Sequence, residues 1–338
     1  MTIRIIAEAA QGFEGSEEQA HLLIRAAASA GADAIKFQLV YADELSTVDY
    51  VHYGIFHSLE MSDNAWRELK ADADGIGIDL YLDVFGEQSL RLASELGARG
   101  VKIHPTDIAN HQFLEAVASA DCGEVLLGAG GAYRSELESA LLLLEGKELT
   151  VLFGFQSYPT PTAANQVARI RHFVDGRMGL KSIGTGFADH ADPGDPLRIA
   201  IAAMALGAGA GVIEKHITLG RVMKLEDYES ALNPDEFAEF VCVIRGCSDA
   251  LGEVSSAADF GMLQEEKDYR AAVRRQVVAN RDLPAGHVIT QNDVALKRTS
   301  MPNALADPEL VYGRQIPKGL IAGSPISDED VESPVASK

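Results

Sequence analysis

The chain has 338 residues, 47% of them hydrophobic, and a formal net charge of −21. That length exceeds one α/β barrel of about 250 residues and calls for an appended unit. The charge argues against nucleic acid or an anionic membrane as partner, since both demand a positive surface.

The N-terminus (Met1-Thr2-Ile3-Arg4) enters a strand at once, and no apolar run approaches the roughly 18 residues of a membrane span. A secretory signal is therefore not expected, and the expected location is cytoplasmic. Cys122, Cys242 and Cys247 are odd in number and lack ligand spacing, so they read as buried small hydrophobes of a reducing compartment.

Strands are predicted at 4–9, 34–38, 78–84, 100–103, 124–128, 150–155, 183–187 and 211–215, with helical patterns at 17–30, 63–73, 88–96, 135–144, 196–206 and 234–251. Strand–helix units in series, with mostly apolar strands, predict a (β/α)8 TIM barrel. The alternative is a doubly wound open sheet. Such a sheet usually carries a Gly-rich phosphate loop after its first strand, whereas this strand ends Glu8-Ala9-Ala10-Gln11-Gly12. The barrel is expected over 1–254, a polar linker over 255–270 and a small β-rich domain over 271–338. In that tail, Leu283-Pro284-Ala285-Gly286 and Ile316-Pro317-Lys318-Gly319 are turn signals, and residues 282–289 echo 316–326. A unit of about 65 residues is marginal alone and is expected to dock on a barrel.

His190 closes Gly186-Phe187-Ala188-Asp189-His190, and His216 closes Val212-Ile213-Glu214-Lys215-His216. With a helix between them, this is strand–loop–helix–strand. It brings both imidazoles to the C-terminal ends of neighbouring parallel strands, the face where barrel enzymes do chemistry. Two neutral imidazoles there suit Mn²⁺, Zn²⁺ or Fe²⁺; two unrelated histidines among nine are the alternative. Glu8 ends the first strand, and a carboxylate in an apolar strand is costly unless paired or functional. Lys36 and Lys102 are each a single lysine in a short hydrophobic strand. Either they snorkel from strand ends, or, lying opposite a metal candidate, they form an anion site to which Asp107 adds a carboxylate. The loop Phe155-Gln156-Ser157-Tyr158-Pro159-Thr160-Pro161 holds a polar substrate or is a plain βα turn. Glu226-Asp227-Tyr228-Glu229 is a solvated cluster or part of the site.

Taken in order, these residues resemble the sialic acid synthase (N-acetylneuraminate synthase) family. The resemblance runs through Ile6-Ala7-Glu8, Phe13-Glu14-Gly15-Ser16, Lys36-Phe37-Gln38, Lys102-Ile103, Tyr158-Pro159-Thr160-Pro161, Asp189-His190, Glu214-Lys215-His216 and Asn233-Pro234-Asp235-Glu236-Phe237. It ends in a tail like the antifreeze-like (SAF) domain. The resemblance implies condensation of phosphoenolpyruvate with an open-chain N-acyl amino sugar or related aldose, releasing phosphate. It implies His190 and His216 as ligands of a divalent metal, Mn²⁺ before Mg²⁺, Co²⁺ or Zn²⁺. Glu8 matches a carboxylate beside the metal and its water, and Asp107 an acidic position near the reacting carbons. Lys36, Gln38 and Lys102 match contacts to phosphoenolpyruvate; Tyr158 and Asp227 match positions that hold the sugar. Arg298 matches an arginine reaching the partner's site in a domain-swapped homodimer.

The chain leaves the family pattern inside this set. Asn-His-Glu-Gly is here Gly12-Phe13-Glu14-Gly15, and Thr-Pro-Phe is Asp83-Val84-Phe85. A serine becomes Pro105, and Ser-Thr-Gly becomes Gly128-Ala129-Gly130. Asp83 would repel a phosphate, so it is expected to pair with Lys102 or to point away. Two further functions stay open: aldol-type chemistry on a non-phosphorylated keto acid, and sugar binding without catalysis.

Overall fold

The computed structural model describes residues 3–154, 157–176, 183–253 and 258–332. Residues 155–156 of the Tyr158 loop, 255–257 of the expected linker and 333–338 of the tail lie outside them. The chain divides into two units, residues 1–252 and 253–338.

In the first unit eight parallel strands close into a barrel: β1 (Arg4–Ala10), β2 (Ala34–Gln38), β3 (Asp79–Val84), β4 (Gly100–Ile103), β5 (Glu124–Gly128), β6 (Leu149–Phe153), β7 (Gly184–Asp189) and β8 (Val212–His216). β8 pairs back onto β1 with Glu8 opposite His216, so this is a TIM barrel and not an open sheet. The strands are apolar on both faces because one meets the interior and the other the surrounding helices. Several of those helices begin at side-chain caps: Ser16, Ser62 and Asn110 accept the backbone N–H of Gln19, Ala65 and Phe113.

The interior changes character along the barrel axis. Ile6, Ala34, Tyr81, Leu126, Leu152 and Val212 form one buried apolar cluster. Side chains alternate faces along a strand, so residues two positions on point the same way. Four of those six are charged, Glu8 above Ile6, Lys36 above Ala34, Asp83 above Tyr81 and Glu214 above Val212, each at most 2% exposed, and the other two are Gly128 and Gly154. An apolar floor thus seals a charged layer from below, and the charges must be satisfied by one another or from the C-terminal mouth. At the opposite end Glu124 accepts from Arg4, Tyr81 and Thr150 at 2.6, 2.7 and 2.7 Å, a closed polar knot.

Of the cysteines expected to be buried, Cys122 is; Cys242 is exposed and Cys247 half-buried, because they lie off the core-facing stripe Phe237, Phe240, Val241 and Ile244 of the helix Pro234–Leu251. Two further differences from the sequence pattern have clear causes. β7 runs on to Asp189, past its apolar stretch, where Asp189 and Lys215 pair across the ladder with Nζ–Oδ1 3.3 Å, and β8 takes in His216 as well. Hydropathy alone reads Asp189 as loop. Across the boundary between the expected linker and the expected tail domain, Gln264–Val273 is a helix with no buried residue. It has no apolar stripe to betray it; Glu266 accepts the Leu263 N–H at 3.3 Å, and Gln264 donates to Asp268 at 2.7 Å.

The second unit holds an antiparallel pair, β9 (Gln276–Ala279) and β10 (Val294–Lys297). Its core is Val277, Ala279, Leu283, Ile289, Val311, Ile316, Ile326 and Val331. The echo seen in the sequence is a structural repeat, set by Leu283/Leu320, Gly286/Gly323, Ile289/Ile326, Thr290/Ser327 and Asp293/Asp330. Leu283 and Leu320 bridge antiparallel. Gly286 and Gly323 have φ of 82° and 88°, a conformation that glycine adopts without strain. Asp293 and Asp330 cap the N–H of Thr290 and Ser327.

Candidate active site

The charged layer is a connected network in which, among the described residues, Glu214 Oε2 has no hydrogen-bond partner. Lys36 Nζ donates to Asp83 Oδ1 at 2.5 Å, contacts Glu8 Oε2 directly and lies 3.6 Å from Glu214 Oε2. Lys102 Nζ donates to Glu214 Oε1 at 2.5 Å and lies 3.9 Å from Asp83 Oδ2. Strand register sets Glu8 opposite Lys36 and Asp83 opposite both Gln38 and Lys102, while Glu214 of β8 meets Lys102 of β4 across the barrel interior. Glu8 Oε1 also accepts the N–H of Ala10 at 2.6 Å, where the β1 ladder is irregular and Ala10 turns to φ 48°. Asp83 is thus paired with both lysines, and the expected partner Lys102 is the more distant of the two.

Burial works against each of these charges. It would raise the Glu214 carboxyl, yet Lys102 and Lys36 hold it below the usual carboxylate range. It opposes the Lys102 ammonium, but Glu214 and Asp83 raise that group above the usual lysine range. For Lys36 burial prevails over Asp83 and Glu214, and its pKa falls.

His190 follows β7 directly and His216 ends β8, with ring centroids 5.1 Å apart. Tyr158, next to a cis bond to Pro159, stands edge-on to both, at 4.9 Å from His190 and 5.9 Å from His216. The His190 carbonyl accepts from Thr160 N–H at 2.8 Å and Ser230 Oγ at 3.2 Å, which fixes the segment carrying the ring. Burial, reinforced by Lys102, lowers His190 to about 3. Burial and His190 push His216 well below its ordinary value. Both imidazoles are therefore neutral at pH 7, the form that binds metal.

His190 Nδ1 is buried and, among the described residues, has no hydrogen-bond partner. A buried unpartnered nitrogen is costly, and a neutral imidazole with a free lone pair is a ligand for a divalent transition metal. The pair fits such an ion. Among the described residues no three His, Cys, Asp or Glu side chains gather as a closed cage. Two imidazoles leave positions open for water and substrate oxygen, as catalytic sites do.

Asp227 Oδ2 lies 3.9 Å from His216 Nδ1, on a residue at φ 62° in the left-handed region that Asp tolerates. Burial, then Glu226 and Glu229, raise its carboxyl to about 7. Gln38 Oε1 accepts from Gln11 Nε2 at 2.6 Å. Asp107 stands apart from the lysine network; its carboxylate meets Thr106 Oγ1 and Asn110 Nδ2, each at 3.5 Å, and burial raises its pKa. Arg298, in the other unit, is exposed and donates from Nε to the Val273 carbonyl at 3.1 Å.

Three site features escape a reading by motif. Glu214 is the principal partner of Lys102, and counting two residues back from His216 on the same strand face finds it. His104, two residues beyond Lys102, has Nδ1 2.9 Å from Thr106 Oγ1 and its ring 6.3 Å from Phe85. Burial and Lys102 lower it to about 4, so it too is neutral. The departures from the family pattern are also built in as packing. Phe13 is buried edge-on to Phe37 at 5.9 Å and Trp66 at 5.7 Å. A Cβ on Gly128 would lie 2.5 Å from the Pro105 ring, so Pro105 calls for glycine at 128.

The NeuB family model matches residues 23–256, and the SAF domain model matches 274–332. The chain belongs to the NeuB family. The N,N'-diacetyllegionaminic acid synthase of Legionella pneumophila is 27% identical over 98% of this chain and 96% of its own. The N-acetylneuraminate-9-phosphate synthase of Mus musculus is 27% identical over 97% and 92%. The solved N-acetylneuraminic acid (sialic acid) synthetase of Leptospira borgpetersenii matches with a TM-score of 0.72 and 28% identity, covering 82% of this chain and 94% of that one. The chain is accordingly an enzyme of the sialic acid synthase type, a transferase that forms carbon–carbon bonds, with a C-terminal SAF domain. No helix among its described residues is long and apolar enough to cross a membrane.

Proposed function

We propose that the barrel mouth condenses phosphoenolpyruvate with the open-chain form of an N-acyl amino sugar or related aldose, giving a sialic-acid-like 2-keto sugar acid and free phosphate. His190 and His216 would hold a divalent metal, Mn²⁺ before Mg²⁺, Co²⁺ or Zn²⁺. The observation that carries the reading is two neutral, buried imidazoles 5.1 Å apart at the mouth that also holds two buried lysines. When bound, the metal supplies Lewis acidity at the acceptor's aldehyde oxygen.

Lys36 and Lys102 hold the donor's anionic groups and offset their charge. The donor's C3 bonds to the aldehyde carbon, water adds at the electron-poor C2, and C2 then releases the phosphate. Donor, aldose and water thus balance keto acid and phosphate. Glu8, fixed by Lys36 and the Ala10 N–H, holds that water. Asp107, its carboxyl raised by burial, is the second candidate for the water's proton. Tyr158 and Asp227 flank the histidines and hold acceptor hydroxyls. Gln38 lines the donor's end. In a domain-swapped homodimer, Arg298 would complete the site of a second copy.

The test is phosphate release from phosphoenolpyruvate with Mn²⁺ across a panel of amino hexoses and aldoses. Turnover is expected with at least one acceptor, abolished by chelator and by His190→Ala; silence across a broad panel sinks the reading. One observation favours a second reading, an aldol-type addition of a non-phosphorylated keto acid: Asp83 already neutralises Lys36. Product formed from pyruvate, indifferent to added phosphoenolpyruvate, would select it.

A further inference from the structure

Two lysines and three carboxylates share the charged layer, Lys36 and Lys102 against Glu8, Asp83 and Glu214, all at most 5% exposed. Each lysine already has a carboxylate oxygen at 2.5 Å, Asp83 on Lys36 and Glu214 on Lys102. Asp83 and Glu214 each reach both ammonium groups, Asp83 from β3 and Glu214 from β8 across the barrel. β3 lies between β2 and β4 in the barrel, so an anion bridging the two ammonium groups would sit over β3, where Asp83 stands.

Other basic groups near the mouth do not compensate. Lys215 is engaged by Asp189 Oδ1 at 3.3 Å and the Ala191 carbonyl at 2.8 Å. His104, lowered to about 4 by burial and Lys102, is neutral at pH 7. A doubly charged group entering this layer must displace Asp83 from Lys36 or lie beside it, and like charges at that range repel strongly when water is excluded.

We propose that Asp83 is a specificity-determining residue of the donor subsite: set on the strand between the two lysines, it occupies the place of a donor's dianionic group and biases the subsite toward donors of lower negative charge. This rests on Lys36 and Lys102 being the donor's anion subsite. Removing the carboxylate frees Lys36, so a residue that is neutral at this position strengthens the hold on a phosphate while changing little for a donor without one.

The experiment compares phosphoenolpyruvate and pyruvate binding by calorimetry to the Mn²⁺-supplemented wild type, Asp83→Asn and Asp83→Thr, with thermal melts confirming that each variant folds. Both variants are expected to bind phosphoenolpyruvate at least about tenfold more tightly than the wild type, with a gain for pyruvate of about threefold or less. Unchanged or weaker phosphoenolpyruvate binding overturns the proposal, as does an equal gain for both donors; no binding by any of the three proteins counts as unchanged. Wild-type phosphate release with an acceptor is scored separately. Turnover without an Asp83 effect keeps the proposed function and removes this inference, and a gain in affinity without turnover does the reverse.

Discussion

Lys36 has no exposed surface, and its ammonium group is met by Glu8, Asp83 and, further off, Glu214. Removing one member of a buried ion cluster is more damaging than never having built it, because the partners left behind are charged and unsolvated. Lys36→Met is isosteric along most of its length, so its cost reports charge and not volume. It is expected to destabilise the barrel by about 3–5 kcal/mol, read from urea unfolding. Adding Asp83→Asn to that variant should recover part of the loss. If Lys36→Met unfolds with wild-type stability, the cluster is solvated in solution and the sealed layer described above is wrong.

At the scale of strands and loops, β2, β4 and β5 are legible to the residue, since each is a short apolar run bounded by turn residues. The histidines were legible for the same reason: they mark where two such runs stop. What the pattern hid is chemistry carried by pairing. Asp189 continues β7 past its apolar run and is ion-paired to Lys215 of β8, and Glu214 becomes a site residue only once barrel closure brings it across the interior to Lys102. The helix Gln264–Val273 was hidden because it buries nothing. Family comparison flagged Pro105 and Gly128 separately; only the structure shows them as one contact. Gly128→Ala should therefore cost about 1–3 kcal/mol through overpacking, and combining it with Pro105→Ala should cost less than the sum of the two single changes. A double-mutant cycle on melting checks the coupling; strict additivity would show that the loops after β4 and β5 do not share this contact.

At the scale of the whole molecule, each unit has its own hydrophobic core, and the smaller one needs more than its eight core side chains to be stable. Asp293 is where it gains that support. The carboxylate is buried at 1% exposure and accepts from Arg281 Nε at 2.9 Å, His287 Nε2 at 2.8 Å, and Thr290 N–H and Oγ1 at 2.8 and 2.6 Å. Burial alone would raise its pKa, but those donors hold it well below the usual carboxylate range. A carboxyl whose folded pKa is depressed contributes fully above its unfolded value, about 3.9 for Asp, and the contribution is lost as pH falls through the folded value. Stability of residues 276–326 should be insensitive to this group between pH 7 and 5 and decline below about pH 4. Asp293→Asn should remove about 2–3 kcal/mol at pH 7 and flatten the acid limb. Protonating other carboxylates relieves self-repulsion in a chain of charge −21, which acts with the opposite sign. The informative quantity is therefore the difference between variant and wild type, measured by hydrogen exchange at the amides of Val277, Ile289 and Ile326 in the full chain. An acid limb equally steep in both proteins would move the support of this unit to some other group.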